Sequence, residues 1–323
     1  MPLRSAWILS NGVVGMDNQS LGLAEALGLD CTVKHVEAVA PWKYLPPGLW
    51  INPLRFLGAG SDSLLPPWPD VIIGTGRLNV AVSIAIKHAS QGRTLNIRIQ
   101  NPRVALNHFD FIVAPKHDRC RGENVIETLG AVNRITQARL LQGAQQFEAA
   151  FALLPRPLIG VLLGGTNQRY TIDEAYAHRL ADKLISALTR HGGSVLITPS
   201  RRTAPAVTAI LRERLQSYSP VIWDGCGDNP YFAYLALADY LIVTADSVNM
   251  ASEACFTGKP VYVDGLTGGK GKFEDFHRQL QWRGCARPFA GELQQWEYEP
   301  LDETRQAAVS IRQRLEISGL PQD

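Results

Sequence analysis

The sequence predicts an α/β protein of two domains, each a parallel sheet covered by helices, and three observations predict it. Short apolar, β-branched runs alternate with longer stretches of helical period. That pattern opens twice on a strand, a glycine turn and a helix, at "AWILSNGVVG" and again at "LIGVLLGGTNQR". A chain of 323 residues is also long for one core, and suits two domains of about 150 residues each. Together these give two Rossmann-like domains, 1–153 and 158–300, with sheets facing across a cleft. A last helical segment, 301–323, has no strand after it and is expected to pack back on the first domain. The proline-bearing "LLPRPL" at 153–158 is the expected hinge.

In the first half the expected strands are "AWILS", "CTVKHVEAV", "DVIIGTG", "TLNIRIQ", "FDFIVAP" and "NVIETLG", each a β-branched or aromatic run between turn formers. Helical period falls near 19–27, 79–89 and 137–150. In the second half the strands are "LIGVLLGG", "SVLITPS", "VIWDG", "YLIVTAD" and "PVYVDG", with helices near 171–190, 204–216, 231–238, 248–257 and 273–282. Thr171 and Glu174 read as a capping box for the first of these. Ala177, Leu180, Ala181, Leu184, Ile185 and Leu188 trace its apolar stripe. The segment from Pro41, "PWKYLPPGLWINPLRFLGAGSDSLLPPWP", fits neither element, since its prolines forbid a continuous helix or strand. Two readings stay open for it: an irregular crossover burying its tryptophans, or an apolar, basic-edged surface, with Lys43, Arg55 and the nearby Arg77, that meets a membrane.

Composition excludes several classes. A 46% hydrophobic share fills two ordinary cores, and 19% charged residues is too few for a disordered chain. A net charge of +2 without a long Lys/Arg run argues against nucleic acid as a partner. Five scattered cysteines, none spaced C-x-x-C, read as reduced thiols rather than a disulfide frame or zinc site. The amino-terminal apolar run is too short for a signal peptide, and no stretch is long enough to span a bilayer. The expected location is cytoplasmic, or peripheral on the inner face of the membrane.

Familiar motifs fail in turn. "GTGRLN" lacks the third glycine of a dinucleotide loop and the acidic residue that should follow. "GLTGGKGK" is one residue short of a phosphate-binding P-loop and has Gly271 where Ser or Thr belongs. There is no H-E-x-x-H, no G-x-S-x-G and no D-x-D after a strand, so no metal site is expected.

What remains gathers at the carboxyl ends of the second-half strands, the edge where open α/β sheets bind ligands. Gly164 and Gly165 let backbone N–H groups approach an anion, and Thr166 and Asn167 add side-chain donors. Arg201 and Arg202 follow the second strand as forked phosphate donors, and Asn229 follows the third. Ser247 stands at an N-cap, so its helix offers free N–H groups and a positive dipole end. Each piece alone is equally a turn, a cap or a solvated side chain; their convergence points to a diphosphate. Glu253, flanked by small residues, accepts two ribose hydroxyls or faces solvent. Asp17, after the first glycine turn, is a catalytic base or an N-terminal cap.

The block "DNPYFAYLALADYLIVTADSVNMASEACFTGKPVYV", with "VLLGGTNQRY", "PDVIIGTGR" and "GMDNQSLGLAEALG", resembles the family of the plant mitochondrial-fission, elongated-mitochondria protein and its bacterial relatives. The resemblance covers nearly the whole chain. It implies an architecture similar to GT-B glycosyltransferases, with a nucleotide-diphosphate sugar in the carboxyl-terminal domain and no required metal or cofactor. "SEACFTGKPV" is similar to a segment of the transferase that adds N-acetylglucosamine to lipid-linked peptidoglycan precursor. That likeness puts the ribose on Glu253 and the diphosphate on Gly164, Gly165 and Thr166. By analogy with lipopolysaccharide heptosyltransferases it makes Asp17 the base. The implied function is glycosyl transfer to an envelope glycan or lipid-linked acceptor. Because plant members act in recruiting fission machinery, a non-catalytic membrane-associated adaptor is an alternative, and a nucleotide-sugar epimerase is another.

Overall fold

The computed structural model describes residues 3–266 and 271–317, so the middle four residues of the "GLTGGKGK" motif lie outside the described residues. The chain divides into two units, residues 1–134 with 302–323, and residues 135–301. Each holds a six-stranded parallel sheet, as the sequence pattern predicts.

The first unit runs β1 (Ser5–Ser10), α1 (Val14–Leu27), β2 (Asp30–His35), β3 (Val71–Thr75), α2 (Val80–Ala89), β4 (Leu95–Ile99), β5 (Phe111–Pro115) and β6 (Val125–Thr128). Its strand order is β2-β1-β3-β4-β5-β6. Every residue of β3, β4 and β5 is buried; β3 and β5 read as near-continuous apolar runs, while β4 buries Asn96 and Arg98 among its apolar residues. Neighbouring residues go to opposite faces. Ile8 and Ile73 pack under α1, while Leu9 and Ile72 pack under α2.

The β2–β3 crossover contains no α-helix. Two short 3₁₀ turns, Trp42–Tyr44 and Pro47–Leu49, carry the chain instead. Its base is tied by an antiparallel bridge between Ala38 and Leu57 and by Gly58 N–H donating to Glu37 O (2.9 Å). Arg77 forks onto the carbonyls of Leu45 and Lys43. Trp50 is buried and Trp42 and Trp68 half-buried over α2, so the tryptophans do fill a core.

The second unit runs α3 (Gln137–Phe151), β7 (Leu158–Leu163), α4 (Glu174–His191), β8 (Ser194–Pro199), α5 (Pro205–Arg214), β9 (Val221–Ile222), α6 (Tyr231–Leu237), β10 (Tyr240–Thr244), α7 (Val248–Phe256), β11 (Val261–Asp264), α8 (Lys272–Trp282) and β12 (Ala286–Pro288). The strand order is β12-β11-β10-β7-β8-β9. Here α3, which the sequence grouping put in the first half, packs on α6. Gly143 lets the backbone of α3 lie against Phe232, where a side chain would collide. The boundary therefore falls after Arg134, not within 153–158.

The helix α4 starts at Glu174 with Asp173 as its cap, accepting from Tyr176 N–H at 2.8 Å; the Thr171 capping box is not formed. Thr166 and Asn167 hold the chain through Ile172 as a loop, which moves the helix start onward. After Leu301 the chain returns to the first unit as α9 (Glu303–Ile317), where Ala307, Ala308, Ile311 and Leu315 join the core beside α1.

Candidate functional site

In the second unit the chain winds from β7 through β8 to β9 on one side, then restarts at β10 on the other. The carboxyl edge between β7 and β10 is thus the switch point where such sheets take ligands. The glycine pair ends β7, and Asp246 and Ser247 follow β10 directly.

The glycine N–H groups have internal partners. Gly164 N–H donates to Thr244 Oγ1 (2.8 Å), whose hydroxyl donates to Asp246 Oδ1 (2.6 Å). Gly165 N–H donates to Asp246 Oδ2 (3.1 Å). A methyl at Gly164 would fall inside the Asp246 carboxylate, and one at Gly165 would strike the backbone of Arg202. Close packing alone therefore explains both glycines. Asp246 is wholly buried and faces one cation, Arg202, whose guanidinium reaches Oδ2 (3.2 Å) and the Gly165 carbonyl (3.3 Å).

That leaves a different donor set. Arg202 is held on its inner side by Asp246, with its side chain half exposed. Arg201 beside it is exposed, with no side-chain partner among the described residues. Ser247 caps α7, accepting from Met250 N–H at 3.2 Å, and the first turn of a helix carries N–H groups with no partner inside the helix. Thr166 and Asn167 serve their own loop. The Thr166 hydroxyl bonds Ile172, and Asn167 Oδ1 accepts from the N–H groups of Arg169 and Tyr170. Asn229 is exposed and accepts from Tyr231 N–H (3.0 Å) at the start of α6.

Glu253 is not solvent-facing in the ordinary way. It receives the Tyr231 hydroxyl, and burial pushes its pKa up to about 7, the hydrogen bond opposing that rise. Nearby, His277 Nε2 donates to Ala245 O (2.8 Å), and Nδ1 is buried without a partner among the described residues. Burial holds its imidazole below the usual range. Asp246, Thr244, Tyr231 and His277 were not singled out by sequence. For Asp246 the signal was its place between the end of a strand and the Ser247 cap.

The first unit has its own switch point, between β1 and β3. Asp17 does not cap α1: the cap position is Val13, without a side-chain bond. Its carboxylate instead accepts from Ser10 Oγ (2.8 Å), which in turn accepts from Gly12 N–H (3.0 Å). Across the edge, the "GTGR" turn is built by a buried arginine. Arg98 donates to Gly76 O and Asn79 Oδ1, while Asn79 donates to Leu9 O (2.6 Å) and Thr75 O (3.0 Å). Burial pulls the Arg98 pKa down to about 9. Among the described residues no group of His, Cys, Asp or Glu is placed to hold a metal ion.

A family model described as mitochondrial fission ELM1 matches residues 14–315. The chain belongs to the mitochondrial fission ELM1 family. Among its relatives, the mitochondrial fission protein ELM1 of Arabidopsis thaliana is 30% identical, over 98% of this chain and 92% of that protein. An uncharacterized protein of Rickettsia prowazekii is 27% identical, over 97% and 99%. Solved structures share the fold at low identity. The UDP-GlcNAc 2-epimerase of Methanocaldococcus jannaschii, in complex with UDP-GlcNAc and UDP, aligns with a TM-score of 0.53 at 12% identity, covering 96% of this chain and 99% of that one. Os79 from O. sativa, in complex with UDP, aligns at 0.55 and 11% identity, covering 98% and 93%. This ELM1-family chain thus has a GT-B-like α/β fold. At its second switch point Asp246-braced Arg202 and the amino end of α7 lie at the strand ends, with Arg201 exposed next to Arg202 in sequence.

Proposed function

We propose that this chain is a GT-B-type glycosyltransferase that takes a sugar from a nucleotide-diphosphate sugar and passes it to an envelope glycan or lipid-linked acceptor. The observation that carries the reading is the β7–β10 switch point, where Asp246 braces Arg202 beside the unpaired Arg201 and the Ser247-capped helix. The diphosphate sits on these cationic groups, and the glycine pair serves by letting Asp246 and Arg202 pack close rather than by giving N–H donors. Glu253 accepts the ribose hydroxyls, and Asn229 lines the same edge. Structures of this fold described with UDP or UDP-GlcNAc bound are in keeping with such a donor.

In the reaction, Asp17 takes the proton of the acceptor hydroxyl as that oxygen bonds to the anomeric carbon. The bond from that carbon to the diphosphate oxygen breaks, and the leaving charge falls on Arg201, Arg202 and the α7 amino end. These fixed charges take the part a metal plays elsewhere, so none is required.

One observation favours a second reading. Both glycine N–H groups are satisfied internally, as a fold kept for protein partners would tolerate. That is the adaptor alternative. A thermal-shift screen with UDP-, GDP-, ADP- and CMP-sugars separates the readings, because a ligand of the folded state raises apparent stability. No shift with any of them sinks the transferase. Interconversion of free nucleotide sugars without an acceptor would identify an epimerase instead.

A further inference from the structure

The β2–β3 crossover takes no part in that reading, yet it concentrates exposed apolar surface. Of the thirteen large apolar side chains exposed among the described residues, five lie within it: Tyr44 (74%), Leu49 (60%), Ile51 (67%), Phe56 (42%) and Leu65 (75%). Alternate members of the same stretch, Trp42, Leu45, Trp50, Leu54 and Leu57, turn inward over α2. The outward set is thus carried on an ordered base. Trp42 packs on Trp50 (6.4 Å between ring centres) and Phe56 (5.9 Å), and the Arg77 fork fixes the backbone at Lys43 and Leu45.

Two basic side chains at this surface stand over its aromatic rings. Lys43 stands over the Tyr44 ring (5.0 Å) and Arg55 over Phe56 (6.0 Å), and neither has an ion-pair partner among the described residues. The acids of the segment and its base, also exposed, each accept from a backbone N–H. Asp62 accepts from His35 N–H (2.6 Å), and Glu37 accepts from Gly60 N–H (3.1 Å). Aliphatic tips, aromatic rings and unpaired basic heads together are the composition of a membrane interface.

We propose that the crossover between Trp42 and Leu65 is a docking surface for an anionic lipid bilayer. Leu49, Ile51 and Leu65 enter the boundary of the acyl region, and Lys43 and Arg55 meet lipid phosphates. Among the described residues no helix is long and apolar enough to cross a membrane, so attachment by this surface is reversible and peripheral. The surface acts independently of the nucleotide site, and either assignment can fail alone.

The test is flotation of the full chain, without nucleotide, on phosphatidylcholine vesicles with and without phosphatidylglycerol, at low salt and at about 0.15 M. Wild type is expected to float with the anionic vesicles, less so in salt, and not with the neutral ones. Each Lys or Arg near such a surface is worth about fivefold in partitioning, so Lys43→Ala with Arg55→Ala should weaken binding about 25-fold. Leu49→Ser with Ile51→Ser should lower it about tenfold or more at unchanged thermal stability, because both side chains are already exposed. Failure to float at low salt, equal binding to neutral vesicles, or unchanged binding by both double variants would each overturn the proposal. So would a wild-type dimer that never floats and that Leu49→Ser with Ile51→Ser dissociates, since the surface would then join two copies.

Discussion

At the switch point of each unit a glycine N–H, a hydroxyl and an aspartate stand in line. In the first unit Gly12 donates to Ser10 and Ser10 to Asp17; in the second Gly164 donates to Thr244 and Thr244 to Asp246. The two carboxylates then part company. Asp246 is wholly buried and takes Gly165 N–H and Arg202 as well, so its oxygens are occupied by the protein. Asp17 is half-buried, with the Ser10 hydroxyl as its one side-chain bond among the described residues. A carboxylate with its acceptor sites filled holds a loop together; one with sites to spare is able to take a proton. The same arrangement thus fills the carboxylate with protein donors in one sheet and leaves acceptor sites without a partner among the described residues in the other.

Crossed substitutions break or sharpen that contrast. The largest effect expected is on turnover. Asp17→Asn should lower it by about 10²–10⁴ while nucleotide affinity and thermal stability stay near wild type. Full activity in that variant would mean that the base lies elsewhere. Next, Asp246→Ala should destabilise the protein by about 2–4 kcal/mol in denaturant titration, since it strands two buried donors, the Gly165 N–H and the Thr244 hydroxyl. The alanine change at Asp17 should cost less than about 1 kcal/mol, and equal losses at the two positions would erase the distinction.

Glu253 tests the donor side with a smaller effect. Its folded pKa is about 7 against an ordinary 4.5, raised by burial. Below the ordinary value both folded and unfolded forms are protonated and the burial cost is absent. As pH climbs from about 4.5 to about 7 the unfolded chain ionises while the folded one holds its proton, so stability is lost across that window and levels off above it. The neutral Glu253→Gln variant should therefore gain on wild type from near zero at acid pH to about 1–3 kcal/mol above pH 7. A pH-independent difference in melting temperature would contradict the buried assignment. Glu253→Ala should cost about 1.5–3 kcal/mol of nucleotide affinity, and equal titration curves would end its ribose role. Smallest is Ser247→Ala, at about 0.5–2 kcal/mol for the lost cap, visible in stability whether or not an anion binds.

Much of this was legible in the sequence, for identifiable reasons. The central strands announce themselves because burial on both faces demands unbroken apolar runs, as in "VIIGT" and "FIVAP". β12 escaped notice, since three residues including a proline carry no period. α1 begins at Val14 rather than near Gln19 because its Val13 cap has no side-chain signature. The candidate residues do gather at the carboxyl edge of the second sheet, but the glycine N–H groups bond within the protein. A glycine pair advertises close approach without saying what approaches, and its partner Asp246 lies 81 residues further on. The mixed character of the Trp/Pro segment was also visible, while the division of its apolar residues between core and surface needed the fold.

The return of α9 gives the molecule an order of assembly that its linear map hides. The Thr304 hydroxyl accepts from Asn133 N–H and donates to Asn133 O, Arg312 reaches Ala26 O, and Arg314 reaches the carbonyls of Glu123 and Val125. The unit that leaves the ribosome first is therefore finished last: its sheet waits for residues 302–317, while the inserted unit, 135–301, is already complete in sequence. Ribosome-bound chains halted near Leu301 should accordingly show a protease-resistant second unit beside a cleavable first one. Equal resistance of both would show that α9 decorates the first core rather than closing it.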